Sequence, residues 1–466
     1  MTNRTPRLPL AAVLTAVVFG SAAIAQSEQA GLRVGAARID ITGPAYRQRP
    51  TMREYAHEQL FLRAIVIDNG VTQAALLGAD LGGINEDVWA DASNRIAAKL
   101  DAPIANIIIS PTHTHSDTPG SETPQRGTPR YGSAFVADVA LQAVTEALSK
   151  LEPALVGYSS GEAHLNVNRD AVNPVTHLWT QASNLDAPSD KTVAVVSFVN
   201  PDGEPIAAYV NYAMHPVNGY LAGFRSGDFA GAMSRYVEQA FGDTMVTIFS
   251  QGASGDQNPR WIRTGTNAMA SRSGADISGY EMVREDIEGP LRNREVAARN
   301  AHPEVARQLA DYMQALGAIL GEEVIRIMSH TDFSGAATPI WGKQMTLTCP
   351  GRRRLNSGRE GMPGEYEDGD DVNIRLGVLA VGDIAIASGN AEIYSTIGQR
   401  VKKESPLAKT LFVTLANGRS NSGYIPDDES YGHQTFQVLG TRLKPGCAEA
   451  GIAAGVAELA GEYIAH

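Results

Sequence analysis

Runs of basic residues are the first thing missing from this sequence. Lysine and arginine total 39 against 51 aspartate and glutamate, a formal net charge of -12. A nucleic acid or an anionic membrane is a poor main partner for such a surface. Aromatic residues are sparse, at 6%, so the chain offers no base-stacking platform. Cysteine is almost absent, with only Cys349 and Cys447. Two cysteines cannot build a disulfide scaffold, so the fold must rest on a hydrophobic core. Whether they pair or stay free is open at this point. Beyond the N-terminus no stretch is apolar enough to span a bilayer. No internal repeat and no linker cleanly splits the chain.

The N-terminus itself is informative. "MTNRTPR" carries two arginines, "LPLAAVLTAVVFGSAAIA" is apolar, and Ala23-Ile24-Ala25 fits an A-x-A cleavage site before Gln26. Residues 1–25 read as a signal peptide, which places the mature chain, 26–466, in the periplasm or outside the cell. No cysteine follows the apolar segment, so a lipid anchor is not expected there.

With 466 residues, 43% of them hydrophobic, the chain can bury a sizeable core. "LRVGAARIDITGP", "LFLRAIVID" and "QAALLGAD" read as strands, the last two joined at an Asn69-Gly70 turn. "INEDVWADASNRIAAKL" has helical spacing and precedes the apolar strand "NIIIS". "TVAVVSFVN", "IAAYVNYAMHP" and "MVTIFSQGASGDQNP" continue the strands, and a long helix starts near Pro303. Thr118–Ser133 reads as a loop, Ser271–Arg299 as a surface excursion, and "LNSGREGMPGEYEDGDD" as a flexible acidic loop. Strands "IRLGVLAVG", "IAIASGN" and "LFVTLANG" and a small-residue helix complete the chain. The expected fold is α/β: one large domain over 26–466, a mixed β-sheet core flanked by helices, and an active site in loops at strand ends.

Several strand ends carry reactive side chains. In "IIISPTHTHSDTPG", His113 and His115 follow an apolar strand, and residues i and i+2 of an extended segment can face one side. Neutral imidazole is the commonest zinc ligand. His215 ends the strand "YVNYAM" in the same way. "SQGASGDQNPR" enters a turn of small residues, where backbone amides can approach an oxyanion. Ser254 sits there, but the spacing fails the G-x-S-x-G nucleophile elbow. "IASGNAEIYS" contains Glu392 and "LANGRSNSGYIP" contains Tyr424, both after apolar strands.

Taken in order, these segments resemble the neutral ceramidase catalytic domain, zinc amidases that cut the N-acyl bond of ceramide. The resemblance runs over roughly residues 32–437. "VGAARIDITGP" is similar to the family's D-I-T-G-P turn, "SPTHTHSDTPG" to T-H-T-H-S-G-P-G, "LNVNRD" to N-R-S, and "NYAMHP" to the strand ending in a zinc histidine. "SGDFAG" is similar to S-D-N-K-G, "GASGDQNP" to G-D-V-S-P-N, "SGNAEIY" to P-G-E, and "SGYIP" to Y-V-T-T. The resemblance implies Zn2+ held by His113, His215, Glu392 and Tyr424. It implies that His115 handles protons or orients the water, and that Arg169, with Asn168, faces the pocket. Gly255 and Asp256 would line the substrate turn. The family's active-site serine aligns with Asn258, which favours direct attack by zinc-activated water, with Asn258 donating to the oxyanion. The chain also ends where the family usually adds an immunoglobulin-like domain.

The resulting expectation is a secreted or periplasmic zinc amidohydrolase acting on a small, lipid-like N-acyl substrate, with no nucleic-acid partner and no stable membrane insertion. Two other readings compete. "HTHSD" resembles the H-x-H-x-D-H of metallo-β-lactamase-like hydrolases, but position 118 is threonine where a histidine is needed. A non-catalytic binding relative is the other, and retention of all four inferred ligands argues against it.

Overall fold

A computed structural model describes residues 31–42, 58–117, 133–219, 225–261, 303–335, 338–356 and 360–466, together with Met1. The expected signal peptide, nearly all of the Thr118–Ser133 loop and the Ser271–Arg299 excursion lie outside the described residues.

Strands β1 (Arg33–Asp40), β2 (Phe61–Asp68), β3 (Gln73–Ala79), β4 (Ile107–Pro111) and the short β5 (Glu152–Pro153) form the first sheet, in the order β4-β3-β2-β1-β5. β3 and β4 are parallel and joined through helix α1 (Glu86–Leu100). The expected turn at Asn69-Gly70 is present. The Asn69 side-chain oxygen accepts the amides of Val71 and Thr72, and the ladder closes at Asp68 and Gln73. Helix α2 (Ser133–Leu148) lies with α1 against the outer face of this sheet, burying Val88, Ile96, Ala140 and Val144.

The second sheet follows. It uses β6 (Leu155–Glu162), β9 (Thr192–Val199), β10 (Pro205–Tyr212), β11 (Val246–Gln251) and β13 (Phe333–Ser334), in the order β11-β10-β9-β6-β13. A small three-stranded sheet branches from it: β7 (Asn166–Val172), β8 (Trp179–Asn184) and β12 (Gln257–Pro259). Helices α3 (Asp228–Ala240) and α4 (Pro303–Ser329) cover its outer face, where Met233, Val237, Leu320 and Val324 are buried.

The third sheet contains β14 (Ile340–Arg354), β15 (Tyr366–Val381), β16 (Ile384–Gly389) and β18 (Lys409–Val413). Between and after its last strands come β17 (Glu392–Ile393), α5 (Ser395–Glu404), β19 (Tyr424–Ile425), α6 (Phe436–Gly440) and α7 (Ala448–Ala465). The acidic stretch expected to be a flexible loop is different in part. Tyr366–Asp371 is the first part of β15, and Asp368 and Glu367 lie opposite Arg352 and Arg353 of β14. Cross-strand charge pairing stabilises what composition suggests is loop.

Side chains from all three sheets meet in one core. Ile65, Leu76 and Ile108 of the first pack with Val196, Tyr209 and Ile248 of the second and Leu379, Ile386 and Leu411 of the third. The first two sheets approach so closely that a Cβ at Gly78 would collide with Ile248. One buried charge network ties the sheets together. Arg63 of β2, 2% exposed, lies 3.2 Å from Asp80 and 2.9 Å from Glu238 of α3. The Thr247 amide of β11 donates to the same Glu238 carboxylate, so the network joins the first sheet to the second. Among the described residues no helix is long and apolar enough to cross a membrane.

The cysteines are paired. Cys349 of β14 and Cys447 before α7 have Cα atoms 5.8 Å apart and close a span of 98 residues. A disulfide of this kind suits an oxidising environment. Replacing both cysteines by alanine should lower unfolding free energy by about 2–5 kcal/mol, from the chain entropy the loop removes. Arg63→Ala, which leaves buried Asp80 without its cation and Glu238 with Arg38 alone, should cost about 3–5 kcal/mol. Urea unfolding of each variant against the native protein measures both.

Candidate metal centre

The chain leaves the first sheet after Pro111. The amides of Thr112 and His113 donate to the carbonyls of Ala79 and Leu81, beyond the end of β3, at 2.7 and 3.0 Å. His113 takes a φ of 65°, a left-handed conformation that L-residues adopt at a cost. The two histidines therefore meet through a turn and not through the alternation of an extended segment. Their ring centroids are 4.8 Å apart and their Nε2 atoms 3.4 Å apart.

His215 arrives from the end of β10 in the second sheet. Its loop is pinned by buried Asp228, whose carboxylate accepts the Asn218 side-chain amide at 2.8 Å and the Gly219 amide at 2.9 Å. The His115 amide donates to the Pro216 carbonyl at 3.1 Å, so the two histidine loops are tied directly. Glu392 and Tyr424 come from the third region. They are register partners in the parallel β17–β19 pair, which places their side chains on one face.

The hydrogen bonds of the imidazoles decide what the site can hold. His113 Nδ1 lies 2.6 Å from the Gly82 carbonyl, and His215 Nδ1 lies 3.1 Å from the Gln257 carbonyl. A carbonyl only accepts, so each Nδ1 donates to it and each ring turns its Nε2 inward. Burial, with the Arg169 charge, pushes the His215 imidazole down to about 4, so it is neutral near pH 7. His115 is likewise well below its ordinary value, through burial and then the neighbouring histidines. Burial alone would raise the Glu392 carboxyl, but the imidazoles of His113 and His215 outweigh it and hold it well below the usual range. Glu392 Oε2 lies 3.1 Å from His215 Nε2 and 3.4 Å from His113 Nε2. Two imidazole nitrogens and a carboxylate oxygen thus converge on one point. Such a set fits a divalent cation. The ligand atoms of His113, His115 and His215 also lie within 4.8 Å of one another, a second donor set sharing two members with the first.

Arg169 of β7 is buried beside this cluster. It donates to Tyr424 Oη at 3.3 Å, to Asn258 Oδ1 at 3.3 Å and to the Gly255 carbonyl at 2.5 Å. It also sits over the rings of Tyr424 and Phe436. Tyr424 keeps its proton strongly, because burial and then the Glu392 carboxylate push its hydroxyl up. Asn258 is held by its oxygen, which leaves its amide NH2 to donate elsewhere.

Three other expected site residues are engaged within the protein. Asn168 donates to the Asp256 carboxylate at 2.8 Å. Asp256 also accepts the Ser395 amide and hydroxyl at 2.8 and 2.9 Å. The Gly255 amide donates to the Ile393 carbonyl at 2.8 Å, so that donor is already used. Ser254 is buried and accepts from the Gln251 side chain.

A cavity of about 430 Å³ opens onto the cluster, lined by His113, His115 and Glu392 and by apolar Leu81, Ile84 and Val88. Three contributors escape a reading of motifs: the Gly82 carbonyl, Asp228, and Arg419 on the cavity wall. Gly82-Gly83 after the apolar end of β3 was the signal for the first. Arg419 sits inside the "LANGRSNSGYIP" stretch that supplies Tyr424.

Residues 32–353 match the family described as neutral/alkaline non-lysosomal ceramidase, N-terminal. Two solved structures share the fold. One, described as ceramidase complexed with C2, gives a TM-score of 0.66 at 17% identity, over 93% of this chain and 75% of that one. A neutral ceramidase from Pseudomonas aeruginosa gives 0.62 at 16% identity, over 92% and 73%.

Asp228→Ala should release the His215 loop by removing the acceptor of Asn218 and Gly219. The expected loss of stability is about 2–4 kcal/mol, read by denaturant unfolding, and hydrogen exchange at Gly219 should rise. Unchanged protection there would show that the loop is held by other contacts.

Proposed function

Because the chain belongs to the neutral/alkaline non-lysosomal ceramidase family, we propose that it is a secreted or periplasmic zinc hydrolase. It cleaves the N-acyl amide of ceramide or a related N-acyl lipid. The observation that carries the reading is the convergence of His113 Nε2, His215 Nε2 and Glu392 Oε2, with both Nδ1 atoms anchored to backbone carbonyls.

In this reading residues 1–25 are a signal peptide and 26–466 one catalytic domain. His113, His215, Glu392 and Tyr424 would hold the zinc, which when bound supplies a Lewis acid and a water acidified to a pKa of about 7. Fixed Nδ1 hydrogen bonds orient both imidazoles before the cation arrives. His115, on the cavity wall, is placed to pass a proton to the leaving nitrogen, which an amide requires. Its low basicity favours the neutral ring at rest and makes its protonated form a strong acid. Asn258 donates its NH2 to the oxyanion, since Arg169 holds its oxygen. Asn168, Gly255 and Asp256 act behind these groups and hold the turn that positions Arg169. No serine need be acylated, which agrees with the buried, hydrogen-bonded Ser254.

Two measurements test the reading. Dialysis against a strong chelator should abolish hydrolysis of short-chain ceramide and N-acyl amines, and Zn2+ should restore it. Full activity in zinc-free protein would remove the mechanism. Asn258→Ala should lower kcat by about 100- to 1,000-fold with KM little changed; an unaltered kcat would end the role given to Asn258.

A further inference from the structure

The geometry points to Arg419 as a carboxylate-binding residue of the cavity, and so to an N-acyl amino acid as the substrate class. This rests on the amide-hydrolase reading above and narrows it.

Arg419 lines the same cavity as His113, His115 and Glu392. Among the described residues its guanidinium has neither a hydrogen-bond nor an ion-pair partner. The carboxylate nearest to hand is already committed. Glu86 receives Arg375 at 2.5 and 3.1 Å and accepts only the backbone amide of Arg419, at 3.2 Å. Of the two acidic residues on the cavity wall, Asp117 accepts the Gly82 amide at 3.0 Å, and Glu392 faces the histidines. The other arginine of the site, Arg169, is occupied by Tyr424, Asn258 and Gly255. Among the described residues of the cavity wall, Arg419 is therefore the cation left to meet a charged ligand.

Its position is fixed by the backbone. Leu415, Asn417 and Gly418 take φ values of 55°, 60° and 94°. The φ of Gly418 lies where L side chains are strained, which favours glycine there. Asn417 grips β4 twice: its side-chain oxygen accepts the Ile109 amide at 2.9 Å, and its amide donates to the Ile109 carbonyl at 2.8 Å. Ser420 donates to the Asn390 carbonyl at 2.8 Å. Arg419 is thus carried on a rigid bridge between the strand leading to His113 and the turn leading to Glu392. The backbone position is therefore preset, and the exposed Arg419 side chain is ordered when it binds an anion.

The rest of the wall completes the description. Leu81, Ile84, Val88 and Val136 offer an apolar surface suited to an acyl chain. About 430 Å³ suits one small ligand, and ceramide brings two long chains and no charge for Arg419 to meet. On a chain of net charge -12, an anionic substrate needs such a local cation to approach.

The test compares N-lauroylglycine with N-lauroylethanolamine on zinc-loaded enzyme. The two share acyl chain and amide and differ in carboxylate against hydroxymethyl. The native enzyme should prefer the glycine conjugate, and added salt should weaken that preference. Arg419→Gln should lower the ratio of the two kcat/KM values roughly tenfold, with Arg419→Lys between. An unchanged ratio, or a native preference for the uncharged amide, overturns the assignment. If neither amide is cleaved but short-chain ceramide is, the N-acyl amino acid assignment is overturned and the hydrolase reading stands; if none of the three is cleaved, the hydrolase reading fails on its own. Calorimetric binding of N-lauroylglycine then decides: weaker binding to Arg419→Gln upholds the carboxylate site, and equal binding sinks it.

Discussion

Three candidate ligand atoms point at one another: His113 Nε2, His215 Nε2 and Glu392 Oε2. Each comes from a different part of the fold. His113 follows the first sheet, His215 the second, and Glu392 the third. Their separation is therefore set by how three sheets pack, and the shared core of Ile65, Tyr209 and Ile386 does that work. Backbone carbonyls at Gly82 and Gln257 then fix which face each ring presents.

The buried Arg63 network belongs to the same design. Its carboxylate partners lie after β3 and on α3, and α3 begins at Asp228, which anchors the His215 loop. Charges sealed between elements resist sliding, because any displacement leaves one of them unpaired in a low-dielectric interior. The left-handed backbone at His113 and at Asp228, with φ values of 65° and 55°, sits beside these contacts. Strain persists only where the surroundings over-determine it.

Much of this could be read from the chain. Apolar runs such as Ile107–Ile109 and Val193–Val196 marked strands correctly, since both faces of their sheets are buried. The α/β class and the grouping of His113, His215 and Glu392 followed from strand-end positions and from the family resemblance. What escaped was chiefly polar. The charged start of β15 reads as loop because its partner arginines, at 352 and 353, lie on another strand. The pairing of Cys349 with Cys447 was equally invisible, since sequence carries no distance between them. The turn geometry at His113 depends on a carbonyl 31 residues away. Substrate-facing and structural roles around Gly255 cannot be told apart without knowing that its amide already serves Ile393.

The disulfide has a consequence for the order in which the protein becomes complete. Cys349 and Cys447 bracket Glu392, Arg419 and Tyr424, whereas both histidine loops precede them in the chain. During synthesis the imidazoles emerge first, and a nascent chain carrying only those has the histidine part of the cluster alone. The carboxylate is added late, and the covalent clasp around it forms only once residue 447 has appeared. A truncated product therefore lacks both the Glu392 carboxylate and the bridge that encloses it, so formation of the disulfide reports that the cluster is complete.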